Sequence, residues 1–451
     1  MGMSRAAFPA FVLSVLLASL PAPAWGAGEA SDADGSNIRI SIITIGPGSA
    51  AYERFGHIAL RIQDPDARYP DVAFNWGVFD FAQKNFFVNF IQGRMTYSTG
   101  WDPDGPGMIQ AYRDTGRAVW EQDLNLTPSQ KLDLADRCYR AIQPAHRDYL
   151  YDYYLNNCST QVRDRLDAVV GGAISRQTQG VATSTTFRWH TRRATADELW
   201  LYTSLTTLLG HPADRPIDAW EEMFLPSKLR EHLRDIQIAD ERGQRVPLIK
   251  SEQLLSAGTK PPERTRAPNF VPGFLAAGVP SGLLLLALSL AFAGTAATSP
   301  SQFWRILARR VGRWLFFLFS TAWLMLISVG GISVAWSWFF TDHHVAVRNE
   351  NLLQLTPLAL PLIYLLPRLA WKRRGARWAL ILSVSMAALS ILGLVLKVFT
   401  AFNQVNGDII AFVLPVQLAF AWIVWRLASR PQVPAAAVRS SDSLRRQTTV
   451  P

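Results

Sequence analysis

Apolar residues follow two regimes along this chain. From about residue 38 to 255 they come in short runs broken by turn residues, and from about 273 to 428 they form stretches long enough to cross a bilayer. In the first regime Ile38 to Ile45, His57 to Ile62 and Val72 to Val78 are β-branched or aromatic runs split by Gly46-Pro47-Gly48 and Asp64-Pro65-Asp66, which predicts three strands. Phe81 to Gln92 reads as a short amphipathic segment and Met95 to Thr99 as a further strand. Helical spacing takes over at Thr127, where a capping threonine and Pro128 open a helix reaching about Ile142. A second helix is expected to start at or just before Cys158 and to stop at Gly171-Gly172. Others are expected at Thr195 to Leu209, Ile217 to Phe224 and Pro226 to Arg234. The pattern is that of an α+β domain over residues 38–255, with a linker rich in proline, lysine and arginine at 256–272.

The second regime predicts a helical membrane domain of five spans over residues 273–428: roughly Phe274 to Gly294, Trp314 to Phe340, Leu352 to Pro367, Trp378 to Phe399 and Ile409 to Trp425. Arginines and lysines crowd the loop holding Arg305, Arg309, Arg310 and Arg313, the loop from Arg368 to Arg377, and the tail at 429–451. The loop from Thr341 to Asn351 has only Arg348, and Thr400 to Asp408 has neither lysine nor arginine. This asymmetry puts the α+β domain outside the cytoplasm and the C-terminus inside. Residues 1–27 combine Arg5, an apolar run from Ala6 to Leu20 and small residues near Ala24, the pattern of a cleaved secretory signal. Both readings give the same topology. The net charge of +10 clusters beside the spans, so it is assigned to membrane topology and no nucleic-acid partner is expected.

The chain of 451 residues has two cysteines, Cys138 and Cys158. Cys138 falls among Leu134, Ala135, Tyr139 and Ile142 in helical spacing and reads as a core thiol. Cys158 is expected at a helix N-terminus, where unpaired N–H groups favour a thiolate, and His57 is a candidate imidazole to exchange protons with it. Within its strand run His57 alternates with the apolar positions Ile58, Leu60 and Ile62, on the less apolar face. The adjacent pair His343 and His344 has no evident third ligand, and neither a metal nor a cofactor is expected.

Three motifs then occur in order: Phe55-Gly56-His57-Ile58-Ala59-Leu60-Arg61, Asn75-Trp76-Gly77-Val78-Phe79-Asp80-Phe81 and Asn156-Asn157-Cys158-Ser159-Thr160-Gln161-Val162-Arg163-Asp164. They resemble the periplasmic domain of the Lnb family of bacterial lipoprotein N-acyltransferases. The resemblance continues through Gly210 to Pro216, Met223 to Pro226 and the loop from Asp342 to Leu353. It implies a circularly permuted papain-like (NlpC-type) domain facing the periplasm of a bacterial inner membrane. In such a domain Cys158 attacks a lipid ester to form a thioester, and the α-amine of a lipoprotein's lipidated N-terminal cysteine takes the acyl group. The donor is either a phospholipid or the lipoprotein's own diacylglyceryl group. His57 serves as base and acid, oriented by Asn75 or, second, by Asp80. The Cys158 backbone N–H and the Asn157 side chain are candidate oxyanion donors. The polar loop with His343, Asn349 and Asn351 is a candidate for holding a lipid head group or the acceptor's N-terminus. Arg163 and Asp164 read as a structural charge pair, and Asp214, beside Pro212 and Pro216, as a turn or cap residue.

Two other functions fit the same residues. A thiol and imidazole also cleave amides, as in a membrane-anchored amidase or peptidase acting on cell-wall peptides. A non-enzymatic scaffold with Cys138 and Cys158 joined as a disulfide is the third.

Overall fold

The structure, a computed structural model, describes residues 35–67, 69–292, 303–372 and 374–429. The expected signal segment at 1–27 and residues 430–451 of the expected tail lie outside the described residues. The chain divides into two compact units, one made of residues up to Pro268 together with Trp336–Arg348, the other of Asn269–Ala335 with the residues from Asn349 onward.

The first unit contains strands β1 (Arg39–Ile45), β2 (His57–Gln63), β3 (Asp71–Val78), β4 (Thr96–Asp102), β5 (Val119–Leu124), β6 (Asp148–Leu150), β7 (Ala182–Thr186), β8 (Pro216–Asp218), β9 (Gln237–Ala239), β10 (Arg245–Pro247) and β11 (Ile249–Ser256). Seven of them form an antiparallel sheet in the order β11-β5-β1-β2-β3-β4-β6. Its helices are α1 (Phe86–Gln92), α2 (Gly105–Asp114), α3 (Pro128–Ala141), α4 (Cys158–Val169), α5 (Ala173–Thr178), α6 (Phe187–Thr195), α7 (Leu199–Leu208), α8 (Ala219–Glu222) and α9 (Pro226–Leu233).

The alternation of side chains along the central strands sorts them into two cores. Ile40 and Ile42 of β1 and Ile58, Leu60 and Ile62 of β2 join Leu134 and Cys138 of α3 and Val162 and Leu166 of α4. Ile43, Ile45, Ala59 and Ala73 point the other way, onto Met108 and Ile109 of α2. α3 starts where the sequence predicts, with the Thr127 hydroxyl accepting from the Gln130 N–H and the Gln130 side chain accepting in turn from the Thr127 N–H. Strands β5 and β11 and helices α2 and α6 go beyond the sequence reading. β5 carries Glu121 in the middle of the sheet, 3% exposed, which is tolerable because Ser41 and Arg61 both donate to its carboxylate.

A smaller core joins Tyr154, Phe187, Ile217, Phe224 and Val345. Val345 belongs to the loop after the second expected span, whose residues as far as Arg348 are part of the α/β unit. The Gly210 N–H donates to Val345 O at 2.7 Å, and a Cβ at Gly210 would lie 2.0 Å from Val347 O, so only glycine admits the loop this closely. Asp214, read from sequence as a turn or cap residue, is instead buried against Arg188 at 2.8 Å, with both side chains 1% exposed. Arg188 also donates to Thr206 O, Leu209 O and Gly210 O, so that each guanidinium nitrogen has a partner and α6 is tied to the end of α7.

The second unit is helical. Among the described residues five helical segments are long and apolar enough to cross a membrane: Val271–Phe292, Ile306–Phe339, Glu350–Trp371, Ala376–Val398 and Gly407–Ala428. Asn349 and Asn351 lie in this unit, 1% and 0% exposed. Asn349 Oδ1 accepts from the Asn351 N–H and the Gln404 amide, and Asn406 donates to Asn351 Oδ1. Glu350 pairs with Lys397 in the same polar network.

Candidate functional site

The site is assembled where β2 and β3 part. Gly56 precedes His57 at φ +79°, and a Cβ there would stand 2.8 Å from Ile45 O, so the tight entry into β2 requires glycine. His57 opposes Ile45 of β1, on the same face as Ala59 and its β3 partner Asn75. Across this diagonal His57 Nε2–H donates to Asn75 Oδ1 at 2.9 Å. The Asn75 amide donates to Met108 Sδ at 3.4 Å, which fixes its orientation with the oxygen toward the imidazole. With Nε2 so engaged, His57 Nδ1 is the nitrogen left to accept a proton.

Cys158 is the first residue of α4. The Asn157 side chain caps the helix, accepting from the Ser159 and Thr160 N–H groups at 2.9 and 3.0 Å. Its amide nitrogen donates to Tyr153 O and Phe224 O, so both amide hydrogens are spent on placing the helix, not held in reserve for an oxyanion. β2 and β3 begin pairing at Ala59, one residue after Ile58, and the ladder between β3 and β4 slips at Gly77, which has φ +85°. Into this opening comes the thiol: the backbone N–H groups of Ile58, Ser159 and Cys158 itself are near enough to favour its thiolate. A Cβ at Gly77 would meet Cys158 Cβ at 3.8 Å. The sulfur is therefore set against the peptide that joins His57 to Ile58. Arg117 acts on both groups, and Tyr112 lies beside the imidazole. The Tyr112 ring lies 5.9 Å from the His57 ring, and the Arg117 charge depresses the imidazole pKa while favouring the Cys158 thiolate.

Burial decides the resting protonation state. It pushes the Cys158 thiol up to about 11, against the opposing pull of the three N–H groups and Arg117. It pulls His57 down to about 4, although the Asn75 bond favours the charged form. The lowered thiol pKa expected from the helix N-terminus is thus reversed, because desolvation outweighs the helix end. On the order of one thiol in ten thousand is ionised at pH 7. A raised pKa means the thiolate keeps growing as pH rises, so the rate of Cys158 alkylation by iodoacetamide is expected to climb about tenfold per unit from pH 6 to pH 9. A plateau below pH 7 would instead reveal a preformed thiolate–imidazolium pair. Cys138, fully buried and pushed up to about 12, is expected to stay unlabelled until the protein unfolds.

Both cysteines are free, so the disulfide of the scaffold reading is not formed. Asp80 accepts from the Ala82 N–H in a turn. Arg163 donates to Asp164 and to Trp220 O and lies over the Trp220 ring. His343 belongs to the α/β unit: its Nε2–H donates to Phe90 O at 3.1 Å, and its Nδ1 accepts from the Tyr153 hydroxyl. His344 Nδ1 pairs with Asp152 at 2.9 Å. Among the described residues no group of three or more histidine, cysteine or acidic side chains is placed to hold a metal ion.

Sequence reading did not flag Tyr112 or Arg117. Arg117 is 3% exposed, donates to Gly46 O at 2.8 Å, and has one terminal nitrogen, Nη2, with no hydrogen-bond partner among the described residues. A lone arginine between a turn and an unrecognised strand carries no sequence signal; only the fold brings it to the thiol.

The family model for the Lnb N-terminal periplasmic domain matches residues 29–197, a stretch that contains His57, Asn75 and Cys158. The model for the Lnb transmembrane domain matches residues 284–401. No curated protein and no solved structure matches the chain. The two family matches together span more than half of the sequence and fall on the mixed α/β unit and on the helical spans. This is a multi-pass membrane protein with a periplasmic domain, and the chain belongs to the Lnb family.

Proposed function

We propose that the protein is a lipoprotein N-acyltransferase of the bacterial inner membrane, its periplasmic unit a permuted papain-like thiol domain. The observation that carries this reading is a free thiol at the start of a helix, near the peptide N–H that follows a histidine whose imidazole is bonded to Asn75. As Cys158 Sγ attacks the carbonyl carbon of a lipid ester, His57 Nδ1 takes the thiol proton. A neutral pair suits this concerted transfer, since neither partner need be charged beforehand. The backbone N–H groups of Ile58 and Cys158 and the Arg117 charge, which favour the thiolate, are the groups we assign to the oxyanion. Its collapse breaks the ester C–O bond, and the departing glyceryl oxygen takes the proton from His57. The thioester is then attacked by the α-amine of the lipidated cysteine. His57 accepts the amine proton and returns it to sulfur as the C–S bond breaks.

The test is to incubate the full-length protein with lipid in the absence of acceptor amine and to identify the modified residue by mass spectrometry. A fatty acyl group on Cys158 is expected, discharged on adding a diacylglyceryl-cysteine peptide with appearance of an N-acyl peptide. Discharge only to water, with cleavage of cell-wall peptides, would favour a hydrolase and remove the transferase.

A further inference from the structure

α1 is an unusual surface helix. Of its side chains only Phe86 is buried, while Phe87, Val88, Phe90 and Ile91 are 67%, 51%, 46% and 56% exposed. Such an apolar face in water is unfavourable and marks an interaction surface. Three bonds to the chain just past a membrane span indicate which. The Asp342 N–H donates to Gln92 O at 2.9 Å, the Asp342 carboxylate pairs with Arg94 at 2.6 Å, and His343 donates to Phe90 O. The candidate span ends at Phe339, three residues earlier, so α1 lies within about 10 Å of chain from the end of a bilayer-crossing helix. Phe339 and Phe340 are 62% and 66% exposed, the aromatic finish expected at a membrane interface.

The apolar face also leads inward. The Phe87 ring neighbours Phe81 at 6.4 Å, Phe81 neighbours Phe79 at 5.0 Å, Phe79 neighbours Tyr97 at 5.2 Å, and Tyr97 stacks on Tyr151 at 4.2 Å. Tyr151 reaches Gly77, the residue that also borders Cys158: a Cβ there would lie 3.7 Å from the Tyr151 ring and 3.8 Å from Cys158 Cβ. A run of neighbouring rings thus leads from the exposed helix to Gly77, which borders the thiol residue.

We propose that α1 lies in the lipid surface and that this run of rings is the path by which an acyl chain of a bilayer lipid reaches Cys158. The proposal rests on the acyltransferase reading. It gives His343 a different task from the expected head-group contact: its ring, wedged between Tyr153 and Phe90 O, holds α1 in place.

The test uses the full-length protein in phospholipid vesicles, with Phe87→Gln, Phe90→Gln and Ile91→Gln combined; all three side chains are exposed, so folding is not at stake. The ratio of long-chain acylation of Cys158 from vesicle lipid to its acylation by p-nitrophenyl acetate is expected to fall at least tenfold. An unchanged ratio overturns the path, as does an intact ratio accompanied by a raised KM for the acceptor peptide, which would make α1 a peptide-docking surface. Separately, p-benzoylphenylalanine in place of Phe90 is expected to crosslink to lipid on illumination, and the absence of a lipid adduct overturns the placement of α1. Wild-type protein that takes no acyl group from lipid yet crosslinks at position 90 would sink the transferase reading and leave the membrane contact standing.

Discussion

Cys158→Ser is expected to reduce N-acylation of lipoprotein substrates by at least about a thousandfold while leaving the protein folded and inserted. Serine suits the first turn of a helix, and the Asn157 cap that places α4 is untouched, so structure is not what is lost. The loss is chemical. A hydroxyl holds its proton more tightly than a thiol already pushed up to about 11, and an imidazole pulled down to about 4 is too weak a base to remove it. His57→Gln is expected to cost a similar factor, and the two losses should not add in the double variant, because in the proposed mechanism thiol and imidazole act as one unit. The measurement is N-terminal acylation of a purified lipoprotein, with circular dichroism as the check on folding. Full activity in Cys158→Ser would end the covalent mechanism.

Asp214→Ala is expected to destabilise the α/β unit by about 3–5 kcal/mol, the cost of leaving a buried cation without its counter-charge. Arg188 is 0% exposed and has no route to water, and its other donors hold the carbonyls where α7 ends and Gly210 receives the Val345 loop. Pulse proteolysis of the full-length protein in urea reads this loss. Adding Arg188→Met, which removes the charge along with its partner, is expected to restore only part of it, because the Thr206, Leu209 and Gly210 carbonyls lose their donor. Stability unchanged in Asp214→Ala would mean that the pair is not buried in solution.

How much of this was legible in the chain depends on which physical signal each part carries. Strands β1 to β3 announce themselves because both their faces are covered and their β-branched runs are punctuated by proline and glycine. Helix α3 is legible from Thr127 and Pro128, and the spans from sheer apolar length. β5 escaped because Glu121 and Gln122 interrupt its apolar pattern; Ser41 and Arg61 donate to Glu121, and Gln122 donates to Arg230 O and Glu252, partners that no local window contains. α2 begins Gly105-Pro106-Gly107, which reads as a turn until the Asp104 carboxylate is seen capping it.

For the candidate site, the sequence by itself determined the cast: a histidine in a strand run, an asparagine in the next, a cysteine behind a capping asparagine, and a membrane-spanning region. These are local properties of spacing, capping and apolar length, which survive without knowledge of the fold. Only the tertiary structure decided which of those groups meet and in what state of charge. It turned Asn75 onto His57, spent Asn157 on the cap, drew Arg117 and Tyr112 in from unmarked stretches, and put Asn349 and Asn351 into a buried amide network. The reason is that a pKa and a hydrogen bond depend on everything packed within a few ångströms, and those neighbours come from strands and helices far apart along the chain.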